Sequence, residues 1–177
     1  MHLMYLSGFE MKVPQGVSVS ESQGIVTASG TKGSVSKQFN LRLVKLSVKP
    51  DEVGVEGIGK LTRSKKAAVN AVERHLKNMF DGVLKGFSKK LTVVYAHFPV
   101  AIEVKGAVVL IKNFLGEKSP RTAKIVPGVQ VKADKQEITV TGADCEAVGQ
   151  TAANIIQAAK ITRRDIRVFQ DGIYHAD

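Results

Sequence analysis

The sequence predicts an α+β fold: two tandem repeats of a ββββαβ unit, each an antiparallel sheet with one helix packed on it. Three observations predict it. Strand-type alternation broken by turn residues gives way to helical periodicity once in each half of the chain. A further strand-length apolar run follows each helical stripe. The chain also has 177 residues, of which 44% are hydrophobic, enough for two small domains with their own cores.

In the first half, strands at 17–19 and 25–29 form a pair closed by Gly30. Phe39, Leu41 and Leu43 lead to a strand ending at Val48, and a strand at 53–58 follows the turn residues Pro50-Asp51. The period then changes. Val69, Val72, Leu76, Met79, Phe80 and Val83 fall on one face of a helix. Thr62 or Ser64 can cap its start, and Gly86 stands where a left-handed residue closes a helix. A strand at 91–97 completes the unit, and Pro99 marks the join.

The order then begins again. Strands at 101–104 and 108–113 turn about Gly106, and strands at 125–131 and 137–141 turn about Ala133-Asp134-Lys135. Asp144 caps a helix with the stripe Val148, Thr151, Ala152, Ile155 and Ala159. The last strand is 166–169, with Val168 and Phe169 in the core. Local phrases recur as well: Pro14-Gln15-Gly16-Val17-Ser18-Val19 resembles Pro127-Gly128-Val129-Gln130-Val131. These patterns divide the chain into an N-terminal extension at 1–11, a first repeat at 12–98 and a second at 99–177.

Charge points to the partner. Twenty-six Lys and Arg against sixteen Asp and Glu give a formal net charge of +10, and a surplus of that size calls for a polyanion such as nucleic acid. Catalytic chemistry is hard to assemble. Cys145, the single cysteine, excludes an internal disulfide and has no histidine close by in sequence, so burial as a small side chain is its expected role. His2, His75, His97 and His175 lack metal-ligand spacing. Gly116-Glu117-Lys118-Ser119 lacks the upstream glycine of a phosphate loop, since Ile111 stands there. Gly54-Val55-Glu56-Gly57 has the spacing of a KH-type clamp but sits between strands and carries an acid. No enzyme activity, metal, cofactor or small-molecule substrate is expected. No membrane partner is expected either, because no apolar run approaches the roughly 18 residues of a membrane span. The start lacks the pattern of a signal peptide, and the expected location is cytoplasmic.

Three basic clusters are the candidate RNA contacts. The principal one is the loop 112–124, with Lys112, Asn113, Phe114, Lys118, Ser119, Arg121 and Lys124, in which an exposed Phe114 would stack on a base. The second comprises Lys160, Arg163, Arg164, Arg167, Gln170 and Tyr174, leading into the chain's end. Lys60, Arg63, Lys65 and Lys66, ahead of the first helix, form a secondary cluster. Two other readings remain. A nucleic-acid-processing enzyme would need a carboxylate or histidine cluster, and a protein-only scaffold would need a large apolar patch.

A family resemblance joins these residues. Val94-Tyr95-Ala96-His97-Phe98-Pro99, Asn113-Phe114-Leu115-Gly116-Glu117-Lys118-Ser119-Pro120-Arg121, Val148-Gly149-Gln150-Thr151-Ala152-Ala153-Asn154-Ile155 and Arg164-Asp165-Ile166-Arg167-Val168-Phe169-Gln170-Asp171-Gly172-Ile173-Tyr174 occur in the order seen in the large-subunit ribosomal protein six family, archaeal and eukaryotic branch. In the first half, 78–87 looks like the family's helix end, whereas Ser29-Gly30-Thr31-Lys32-Gly33 departs from its usual Gly-Pro-Lys-Gly turn. The resemblance implies a ribosome-bound structural protein that binds large-subunit rRNA mainly through its second domain. It further implies a place near the stalk base and the translation-factor docking region, with neighbouring ribosomal proteins as partners.

Overall fold

Gly86 closes the first helix in the left-handed conformation, at φ +76°, and the chain divides immediately after it. The computed structural model describes residues 9–49, 51–59, 62–96, 98–162 and 164–176, and it forms two units, Met1–Gly86 and Phe87–Asp177.

The first unit contains β1 (Phe9–Lys12), β2 (Ser18–Ser22), β3 (Ile25–Gly30), β4 (Gly33–Gln38), β5 (Val44–Val48), β6 (Glu52–Gly57) and α1 (Arg63–Leu84). Its strands make two antiparallel sheets, β2-β3-β4 and β1-β6-β5. The second unit contains β7 (Phe87–Val94), β8 (Ala101–Lys105), β9 (Val108–Lys112), β10 (Arg121–Lys124), β11 (Val129–Asp134), β12 (Glu137–Gly142), α2 (Cys145–Ala158) and β13 (Gly172–His175). Here the sheets are β8-β9-β10 and β11-β12-β7-β13.

Both units follow one plan: a lone strand, a three-stranded meander, a hairpin and a helix, with the lone strand paired to the hairpin's second strand. The tandem α+β repeat is therefore present, but its phase is shifted by one strand. The run read as closing the first repeat is β7, which pairs in register with β12 (Leu91↔Ile138) and β13 (Val93↔Ile173) of the second unit. Apolar periodicity marks a strand without naming its neighbours, and here those neighbours come later in the chain. β1 begins within the segment read as an extension; residues 1–8 lie outside the described residues.

Each unit has its own core. Every stripe residue of α1 is buried, with Leu76 and Val83 fully enclosed against Val26, Ala28, Val53 and Val55. In the second unit Val148, Ala152 and Ile155 of α2 meet Leu91, Ile111, Ile138 and Val140. The helix caps follow the sequence. The Thr62 hydroxyl accepts from the Lys65 N–H at 3.4 Å, and Asp144 Oδ1 accepts from the Glu146 N–H at 3.0 Å.

Several strand assignments change. β4 and β10 lie where the sequence predicts turns and a loop; β4 offers Val35 and β10 offers Ala123 as their only apolar side chains, too few to show alternation. The last strand is Gly172–His175, whereas 166–169 lies in a turn in which Asp165 O accepts from the Val168 and Phe169 N–H groups. Val168 is 67% exposed rather than in the core, and Phe169 is half-buried. The recurring phrases at 14–19 and 127–131 lead into β2 and β11, which hold different places in the repeat.

Gly30 marks a tight approach. A Cβ there would lie 2.8 Å from the Val83 carbonyl oxygen and 3.0 Å from the Val83 Cβ. Gly30→Ala should therefore lower stability by about 1–3 kcal/mol, seen as a reduced midpoint in chemical denaturation.

Candidate RNA interface

The connection between the second and third meander strands lies against the end of the helix in both units, and this pairing organises the site. The final carbonyls of a helix lack intrahelical donors. In the first unit a two-residue turn supplies them: the Lys32 N–H donates to Val83 O at 2.9 Å, and the Thr31 hydroxyl donates to Leu84 O at 3.3 Å. In the second unit one side chain does it. Arg121 Nη1 donates to Ala158 O at 3.1 Å and to Lys160 O at 2.9 Å.

The same guanidinium holds Glu117 in a paired fork, Nε to Oε2 at 2.8 Å and Nη2 to Oε1 at 2.6 Å, and lies 4.4 Å from the centre of the Phe114 ring. Arg121 raises no question of protonation, but it holds the Glu117 carboxyl below its usual range, mainly through the hydrogen bond and against a smaller cost of desolvation. Further down α2, Thr151 Oγ1 accepts from the Val126 N–H at 3.1 Å, and Asn154 Nδ2 donates to Lys124 O at 3.0 Å. These bonds give the phrase Gln150 to Asn154 its physical meaning: Thr151 and Asn154, one helical turn apart, hold the end of β10 on the helix.

Between β9 and β10 the chain uses eight residues, 113–120, where the first unit uses two. Asn113, Leu115 and Gly116 all have positive φ, at 58°, 52° and 75°. Asn113 tolerates this better than most residues, and its Nδ2 donates to Pro99 O at 3.1 Å. Leu115 is held there by packing on the core. Phe114 is 1% exposed, so the aromatic read as a stacking platform is a core residue. An exposed ring beside the loop is Phe98, at 46%, whose edge a Cβ at Gly116 would meet at 3.4 Å. Its place in the phrase ending Phe98-Pro99 was the available signal. The crest of the loop carries Lys118 and Ser119 into solvent.

Loop and tail share one edge of the second unit. Arg121 reaches the Lys160 carbonyl, and Glu117 feels the charge of Arg164. Arg164 lies 4.8 Å over the Phe169 ring, which orients its guanidinium while leaving it exposed. Lys160 and Arg167 are exposed, and Arg167 N–H donates to Asp165 Oδ1 at 2.9 Å. Gln170 is exposed, its carbonyl accepting from the Tyr174 hydroxyl at 3.2 Å, and Tyr174 is half-exposed. The tail is anchored beyond this by Asp171, 2% exposed, whose Oδ1 accepts from the Ala96 N–H at 3.1 Å.

Some predicted contacts fall outside this group. Lys112 is paired with Glu103 at 2.6 Å, and Lys124 is exposed at the far end of β10. Lys65 donates to the Ile58 carbonyl, while Arg63 and Lys66 are exposed on α1. Lys60, His97 and Arg163 lie outside the described residues. Cys145 is half-buried, and among the described residues no cluster of His, Cys, Asp and Glu could hold a metal ion.

Two outcomes follow from the clasp. Arg121→Ala should destabilise the second unit by about 1–3 kcal/mol, because it strips donors from two carbonyls, whereas Lys118→Ala should leave the melting temperature unchanged. Glu117 is more acidic folded than unfolded, so its contribution is present above the unfolded value near 4.5 and is lost as pH falls through the lowered one. Glu117→Gln should accordingly show a shallower loss of melting temperature below about pH 4.5 than the unsubstituted chain.

Comparison with known proteins agrees with this architecture. The family model described as Ribosomal protein L6 matches twice, over residues 13–86 and 98–172. The chain is 48% identical to the large ribosomal subunit protein uL6 of Methanosarcina mazei over 164 residues, covering 93% of each chain. It is 44% identical to that of Methanocella arvoryzae, again over 93% of each, and 43% identical to that of Ignicoccus hospitalis, over 92% of this chain and 89% of the relative. With two matched copies of the domain and relatives aligned over nearly its whole length, the chain belongs to the ribosomal protein L6 family.

Proposed function

We propose that the chain binds large-subunit rRNA through the edge of its second unit formed by the loop crest and the tail, near the stalk base and the translation-factor docking region. Its general role follows from the family: it is a structural constituent of the large ribosomal subunit, ribosome-bound in the cytoplasm, and not an enzyme. No described helix is long and apolar enough to cross a membrane.

One observation carries the choice of site. The fold needs only two residues to join the second and third meander strands, as the first unit demonstrates, yet the second unit uses eight and lifts Lys118 and Ser119 away from the core. Residues the scaffold does not require, held beside Lys160 and Arg164, suit a polyphosphate surface. Lysine neutralises a phosphate as a point charge, whereas the Arg164 fork offers paired donors to phosphate oxygens or a guanine edge. The exposed Phe98 ring takes the stacking role first assigned to Phe114. The neighbours implied at the stalk base are other ribosomal proteins, and the finer location rests on the family resemblance.

Binding to protein-free archaeal large-subunit rRNA tests this reading. Lys118→Gln with Arg164→Gln should weaken affinity at least tenfold at about 0.1 M salt and make its salt dependence shallower by about two in log–log slope. Lys132→Gln with Lys135→Gln, on the β11–β12 hairpin, removes the same charge and should change little; equal losses in the two pairs would show the site to be elsewhere.

A further inference from the structure

We propose that the outer face of α1 is a second RNA contact, one that grips phosphates of a structured rRNA segment independently of the loop and tail. The inference rests on the reading of the chain as an rRNA-binding protein, but it draws on a different unit and a different element.

Arg63, Lys66, Asn70, Arg74, Lys77, Asp81 and Lys85 follow one another at steps of three or four residues, so they form a single stripe along the helix. All are exposed, and the stripe lies opposite the buried Val69, Val72, Leu76, Met79 and Val83. The one acid of the stripe, Asp81, pairs with Lys85 at 3.9 Å, and the neighbouring Glu73 pairs with Lys77 at 2.6 Å. Arg63, Lys66 and Arg74 form no ion pair among the described residues. A 22-residue helix is about 33 Å long, so the stripe can span several consecutive phosphates.

The repeat supplies the internal control. α2 occupies the same place in the same fold, yet Cys145–Ala158 contains no Lys or Arg, and its outer face carries Gln150, Ala153 and Gln157. Cations on the helix are therefore no requirement of the architecture. They also oppose it locally. The first turn of α1 has no acid but holds Arg63, Lys65 and Lys66 against the positive end of the helix dipole, whereas α2 begins with Asp144 and Glu146 in the favourable sense. A phosphate group is the partner that reverses this penalty, since it meets the dipole and the side chains together. Asn70 adds an amide that can donate to phosphate or to a ribose hydroxyl without adding charge.

The test uses the full chain, protein-free archaeal large-subunit rRNA and chemical footprinting, with affinity measured between 50 and 200 mM salt. Arg63→Gln, Lys66→Gln and Arg74→Gln together should abolish one protected rRNA segment while the segment lost in the Lys118→Gln, Arg164→Gln variant persists. The salt slope should become shallower by about two or more, and the melting temperature should not fall, because glutamine is a good helix former and the dipole clash is relieved. A control with equal charge loss elsewhere on the unit, Lys12→Gln, Lys45→Gln and Lys49→Gln, should keep both footprints. The proposal is overturned if the α1 triple leaves the footprints intact, or if the control triple weakens binding as much. Loss of the α1 segment alone, with no effect of the Lys118 and Arg164 changes, would support α1 and reject the loop-and-tail site instead.

Discussion

The last carbonyls of each helix need donors, and meeting that need fixes where everything else in the unit can go. In the first unit backbone and a threonine hydroxyl do it from a two-residue turn, with Gly30 allowing the close approach to Val83. In the second unit the guanidinium of Arg121 reaches across to Ala158 and Lys160, and its own charge is met by Glu117. Because a long side chain makes the junction there, the backbone between β9 and β10 is free to rise into a loop. The loop is anchored by Phe114 in the core and by the bond from Asn113 to Pro99. One clasp thus keeps the loop beside the start of the tail.

This division of labour changes the meaning of the basic residues. A surplus of ten positive charges says that a polyanion is near but not which cations meet it. Lys112 and Arg121 have carboxylate partners, Lys65 bonds a carbonyl, and their roles are structural first. Lys118, Arg63, Lys66 and Arg74 stand in solvent on elements whose counterparts in the sister repeat are shorter or carry no Lys or Arg, and Arg164 stands in a tail that the first unit lacks. A duplicated domain separates what a fold requires from what one copy adds to it.

Much of the fold was legible in the sequence, and the failures have physical causes. Both helices, their caps and their buried faces could be read directly, since a 3.6-residue period over several turns has few alternatives. β4 and β10 are not legible, because each carries a single small or β-branched apolar side chain, Val35 and Ala123. β7 is legible as a strand but its sheet is not, because alternation carries no information about partners 40 or more residues away. At the candidate site, loop length and charge single out the segment 112–124, but its side chains divide differently than expected. A Phe in a polar loop reads as exposed until the left-handed backbone at Asn113 and Leu115 turns it inward, and Val168 and Phe169 read as core until the Asp165 turn lifts Val168 out and leaves Phe169 half-buried.

The most direct measurement is a structure of this chain on its large ribosomal subunit. Lys118 Nζ and the Arg164 guanidinium should lie within hydrogen-bonding distance of rRNA phosphate oxygens, with Arg121 still holding Glu117 and the carbonyls of Ala158 and Lys160. A structure in which Arg121 has let go of Glu117 to face the RNA, while Lys118 and Arg164 point into open solvent, would contradict the account.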